Sequence, residues 1–121
     1  MVAEHPAVRF FAGHPDGQAV AAVVARVVAS SGPHEVRVSR SQVAFRRRTG
    51  FAYLWRPGQY VASDVPAVLS IALPRAVASP RWKQVVHPSA HTWMHHLELH
   101  APGQVDAEVR DWLSEAYDAA G

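Results

Sequence analysis

The chain has 121 residues, 49% of them hydrophobic and 18% charged, which is enough apolar material for a packed core and too little charge for a disordered chain. It contains no cysteine, so disulfide frameworks and thiolate chemistry are excluded and a reducing compartment fits. The formal net charge is only +2, which gives no reason to expect a strongly one-signed surface.

The charge is unevenly spread along the chain. Residues 1–36 carry two basic and three acidic groups, residues 37–83 nine basic and one acidic, and residues 84–121 one basic and six acidic. A basic middle and an acidic tail are read first as two segments that neutralise each other across the fold, and second as a basic surface for an anionic partner. The N-terminal stretch MVAEHPAVRF lacks the basic-then-apolar layout of a signal peptide. The longest apolar run, residues 19–29, is too short to span a bilayer and contains Arg26. The expectation is a single cytoplasmic domain over residues 1–121 with no membrane partner.

In chain order, Pro6 opens a short helix running to about Ala12, with Gly13 at its exit. Pro15 opens a second, on which Val20, Val23, Val24, Val27 and Val28 share a face until Ser31-Gly32-Pro33 ends it. From His34 the period changes to two, with Val36 and Val38 alternating against Arg37 and Ser39, as on a half-buried strand. A hairpin follows over Gln42 to Arg56, then a loop with turn signals at Pro57-Gly58 and Asp64. Residues 68–73 predict a strand with Leu69, Ile71 and Leu73 on its apolar side. Ser79-Pro80 predicts a short helix to about Val86. Residues 91–100 read as the last strand, broken by Pro102-Gly103. Asp106 caps a closing helix whose stripe is Val109, Trp112, Leu113, Ala116 and Tyr117. The order ααββββαβα predicts an α+β fold, an antiparallel sheet of about five strands with helices packed on it.

The hairpin sets both the core and the candidate surface, and its loop length decides which residues share a face. A two-residue Thr49-Gly50 loop puts Arg46, Arg48, Phe51, Tyr53 and Trp55 together, the makings of a stacking platform. A β-branched Thr is poor where φ must be positive, so a three-residue Arg48-Thr49-Gly50 loop with Gly50 left-handed is preferred. That register makes Val43, Phe45, Phe51, Tyr53 and Trp55 the core face. It leaves Gln42, Ala44, Arg46, Ala52, Leu54 and Arg56 on the other.

The segments SRSQVAFRRRTGFAYLWRPG, VLSIALP, SPRWKQVVHP, WMHHLEL and VRDWLSEAY together resemble an uncharacterised bacterial family of domains of unknown function. Its members occur alone or as the tail of larger predicted transport proteins. A more distant likeness is to small YdhG-like α+β domains. The resemblance covers roughly residues 6 to 120. It implies one compact α+β domain and brings no reaction, cofactor or catalytic residues with it.

Five of the eight histidines lie between Val86 and His100. On a strand, His96, Glu98 and His100 form a ladder of metal-ligand types. Neighbours in it are about 6.6 Å apart, so a metal would need further ligands from a second strand. His95 faces the other way and interrupts an apolar face, as a hydrogen-bonded core histidine does or a functional base would. No nucleophile elbow, paired carboxylates or glycine-rich phosphate loop is present, and neither Ser41, Ser79 nor Ser89 is marked as activated. No cofactor is implied.

The resulting expectation is a non-enzymatic binding or interaction module. It takes an anionic ligand, a small metabolite or a nucleic acid, through Gln42, Arg46 and Arg56, joined by His95. The runner-up is a small enzyme or metal-binding protein using the histidine strand, His96, Glu98 and His100. A homo-oligomerising domain that buries Trp82 or Trp55 against another chain is the third class.

Overall fold

The computed structural model describes residues 4–121. The first three residues, where the N-terminal stretch read for a signal peptide begins, lie outside the described residues. Helices α1 (Pro6–Phe10) and α2 (Pro15–Ser31) lead into strands β1 (Glu35–Val38), β2 (Val43–Arg46), β3 (Gly50–Trp55) and β4 (Ala67–Leu73). Strands β5 (Gln84–Ser89) and β6 (Thr92–Leu99) follow, and helix α3 (Ala107–Ala119) closes the chain. The six strands form one antiparallel sheet in the order β1-β2-β3-β4-β6-β5. This is the expected α+β arrangement with one strand more than the sequence suggested.

The helices lie on one face of the sheet. Val20, Val24 and Val28 of α2 and Val109, Leu113 and Ala116 of α3 join Phe45, Leu54, Leu69, Ile71, Leu97 and Leu99 in the buried core. The predicted stripe of α3 is core, as are Val20, Val24 and Val28 of α2 with Val23 and Val27 half-buried at its margin, and burial against the sheet compensates for the weak helix propensity of the valines. Asp106 caps α3 by accepting the Val109 N–H at 3.2 Å. Gly13, at φ +84°, lets the chain turn sharply between α1 and α2.

Two sequence expectations are corrected. The short helix expected over residues 79–86 does not form. Ser79 starts a single turn, its hydroxyl accepting the Arg81 N–H at 3.2 Å. The chain then extends as β5, the strand additional to the expected five, and Val86 pairs with Met94 of β6. β-branched residues favour this pairing, and Pro88 is tolerated because β5 is a sheet edge.

The hairpin register is the second correction. Val43 pairs with Leu54, Ala44 with Tyr53 and Phe45 with Ala52, and a bulge then pairs Arg46 with Gly50. Gly50 does not have positive φ. The turn is set from outside the hairpin: the N–H groups of Arg48 and Thr49 donate to Ala120 O at 2.9 and 3.3 Å, and Arg47 Nη1 donates to Tyr117 O at 2.8 Å. The basic turn thus caps the C-terminus of α3, where unpaired carbonyls and the negative end of the helix dipole favour donors and cations. Recruiting Arg47–Thr49 for this role shifts β3 by one residue from the preferred register. Ala52 and Leu54 turn into the core, while Tyr53 and Trp55 join Arg46 on the opposite face. Phe51, at the bulge, packs edge-on against Tyr117 at 5.6 Å.

The acidic tail meets the basic middle as the first charge reading expected. Arg75 forms a two-pronged pair with Glu115, at 2.9 and 2.8 Å. Arg81 contacts Asp106 and Glu108 at 3.0 and 2.9 Å. Among the described residues no helix is long and apolar enough to cross a membrane.

Candidate ligand trough on the helix-free sheet face

One row of side chains runs straight across the helix-free face. In register it is Arg37, Ala44, Tyr53, Ser70, His96 and Gln84, one from each strand. The neighbouring row, Trp55, Val68 and Glu98, flanks it on one side, and Ala72 with Met94 flanks it on the other. Between them lies a cavity of about 460 Å³. Its walls are Tyr53, Trp55 and Met94 from the strands and Tyr60 from the loop after β3, with Gln42 and Ser41 at one end.

The loop is held over the trough by two contacts to the β1–β2 turn. Gln59 Nε2 donates to Arg40 O at 3.0 Å, and the Tyr60 hydroxyl donates to Ser41 O at 3.3 Å. Trp55 is the centrepiece, meeting Tyr60 edge-on at 6.4 Å and His96 at 6.3 Å. Beneath it, Trp55 Nε1 donates to Ser70 Oγ at 3.0 Å, and Ser70 Oγ lies 2.6 Å from His96 Nδ1. Burial, with His95 adjoining, holds the His96 imidazole below its ordinary pKa, so it is neutral at physiological pH. Arg46 approaches Gly50 beside the Tyr53 hydroxyl, which places a cation on the same face beyond that end of the trough.

A serine this close to a histidine invites comparison with an activated nucleophile. The surroundings argue otherwise. Ser70 is 3% exposed and receives the indole N–H, which draws electron density from the oxygen. It also sits in mid-strand, paired to Tyr53 on one side and His96 on the other. The backbone donors around it are engaged in the sheet ladder rather than turned toward a developing oxyanion.

The four residues expected to bind a ligand are dispersed. Gln42 lines the trough and Arg46 stands near it. Arg56 points elsewhere, into a second cavity of about 300 Å³ shared with His14, Asp16, Ser63 and Asp64. His95 is fully buried on the helix side. Its Nε2 accepts the Val77 N–H at 3.0 Å, and its Nδ1 lies 3.0 Å from Trp93 O and 3.3 Å from Ile71 O. It thereby ties the segment after β4 to the sheet, with Trp82 packed on its ring at 4.8 Å. Trp82 in turn packs on Trp112 at 4.2 Å, so of the two tryptophans considered for a subunit contact, Trp82 also packs within the chain.

The histidine ladder is divided as well. His96 and Glu98 share the helix-free face, opposite Ser70 and Val68. His100 lies past the end of β6, its N–H donating to Gln104 Oε1 at 2.6 Å. Among the described residues no three histidine, cysteine, aspartate or glutamate side chains converge as a metal site.

Tyr53, Trp55, Tyr60, Ser70 and Met94 are trough residues that the sequence does not mark as ligand-binding. The first two were assigned to the core by the loop preference. The face sorting of the rejected two-residue loop, which put Arg46, Tyr53 and Trp55 together, was the available signal.

The fold and this face define an α+β domain in which helices cover one side of an antiparallel sheet and the other side is open. The family model of the domain of unknown function DUF5655 matches residues 8–120, and the chain belongs to that family. No curated protein and no solved structure matches it.

Proposed function

We propose that the domain is a non-enzymatic binding module and that its ligand lies in the trough on the open sheet face. The ligand is a small molecule with a planar part between the aromatic walls and an anionic group turned toward Arg46. One observation carries this reading. Three aromatic side chains and a neutral histidine converge on a concave, helix-free surface, where an ordinary solvated face would carry charged residues. Among the described residues the Gln42 amide, the Tyr53 hydroxyl and His96 Nε2 have no side-chain hydrogen-bond partner, so they are available to a ligand. The basic turn contributes little here, because Arg47 serves α3.

The test is a tryptophan-fluorescence and thermal-shift titration with adenosine monophosphate, benzoate and a short single-stranded oligonucleotide. Saturable binding of a small aromatic anion, weakened by Gln42→Ala and Tyr60→Ala, is the expected outcome, since a ligand of the native state raises its melting temperature. Binding of the oligonucleotide alone, with affinity falling steeply as salt rises, would replace the small molecule by nucleic acid. Flat titrations with all three would refute the reading.

A further inference from the structure

The hydrogen inventory of the trough floor fixes which proton His96 offers to a ligand. An indole nitrogen only donates, so Ser70 Oγ accepts from Trp55 Nε1 at 3.0 Å. The serine proton then needs an acceptor of its own. Ser70 is 3% exposed, and no buried side-chain polar atom is left unpaired among the described residues. His96 Nδ1, at 2.6 Å, is the acceptor within reach. With the proton on Nδ1 instead, Ser70 would receive two hydrogen bonds and its own hydrogen would be left buried without a partner, which disfavours that tautomer.

We infer that the Trp55–Ser70–His96 chain locks His96 as the Nε2–H tautomer, and that the trough therefore selects ligands presenting a hydrogen-bond acceptor to that N–H. The acceptor is an anionic oxygen or a ring nitrogen in the plane of a group lying along Trp55. His96 is thus a specificity residue, and Ser70, on the trough floor with its hydroxyl engaged by Trp55 and His96, is a positioning residue that acts through it. The inference rests on the trough being the binding site, and it adds the polarity of the ligand at one defined atom.

The experiment pairs two probes of the same shape and opposite polarity, benzoate and benzamidine. It follows the histidine ring nitrogens by long-range ¹H–¹⁵N NMR on the full chain. The free protein is expected to show His96 with a bare Nδ1 and a protonated Nε2, and Ser70→Ala to erode that preference. Benzoate is expected to shift the Nε2 resonance and to bind at least tenfold more tightly than benzamidine. His96→Phe, which keeps the ring and loses the donor, should reduce that discrimination to what the charge of Arg46 alone sustains. His96→Gln, whose amide reaches the Nε2 position, should retain part of it.

A protonated Nδ1 in the free protein would overturn the inference whatever binds. Equal binding of both probes with Nε2 unmoved would overturn it and leave the trough as the site. Binding of neither probe would overturn the selection, and flat titrations with adenosine monophosphate and the oligonucleotide besides would overturn the trough reading as well.

Discussion

His95 makes folding stability depend on pH in a direction the geometry fixes. Its ring is fully buried, with Nε2 accepting the Val77 N–H and Nδ1 facing the Trp93 and Ile71 carbonyls. Protonation would set a second N–H against that of Val77. Burial is the main cause that holds His95 below its ordinary value of 6.5. The two carbonyls and Glu115 oppose it, and Arg75 reinforces it. The native state therefore binds fewer protons than the unfolded chain just below pH 6.5, so stability is complete above that value and falls as pH drops toward the lower native pKa. With the native ring kept neutral, one such histidine removes up to about 1.4 kcal/mol between about pH 7.5 and about pH 5.5. Urea denaturation at a series of pH values measures this directly. His95→Gln, whose amide oxygen can still accept from Val77, is expected to flatten the profile by the equivalent of one proton. An unchanged pH dependence in that variant would refute the reasoning. His96, shifted the same way, contributes a parallel slope, of which His95→Gln removes the part due to His95 and leaves the larger part due to burial.

The basic turn supplies a paired comparison. Arg47→Ala removes the hydrogen bond to Tyr117 O and the guanidinium stacked 4.1 Å over the Tyr117 ring, and is expected to cost about 1–2 kcal/mol in chemical denaturation. Arg48→Ala keeps its backbone bond to Ala120 and should change stability by less than about 0.5 kcal/mol. Gly32, at φ +140°, would place a Cβ 2.5 Å from the Tyr117 hydroxyl, which itself donates to Pro33 O at 2.8 Å. Gly32→Ala should therefore lower the melting temperature more than Gly13→Ala, which has positive φ but open space around it. Ser70→Ala strips the partner from Trp55 Nε1 and His96 Nδ1. It is expected to cost about 1–2 kcal/mol and to shift the tryptophan emission, measured by denaturation followed through fluorescence.

The helices and most strands were legible because their signals are local. The Val and Trp-Leu-Tyr stripes, the Asp106 cap and the alternation of Leu69, Ile71 and Leu73 each lie within one element. Residues 79–89 misled because the Ser-Pro start is genuine but lasts only one turn. The extension that follows depends on a partner, β6, which is later in the chain. The candidate site was less legible for the same reason. Tyr53 and Trp55 look like core residues until β3 is shifted by the demand of the α3 C-terminus, a constraint some 70 positions away. Ser70 gains its importance only from the register that sets it against His96. Segment charge was more informative about packing than about partners, since Arg75 and Arg81 turn out to hold α3.

The capping of α3 by the hairpin turn bears on the order in which the molecule assembles. Arg47 and Tyr117 are separated by 70 positions, and a contact of that span carries a loop-closure cost absent from a hairpin formed alone. Before α3 docks, the contacts that hold the 42–56 turn in its native register are absent. Mutations at Arg47 should accordingly slow the register-setting step, measured by stopped-flow refolding.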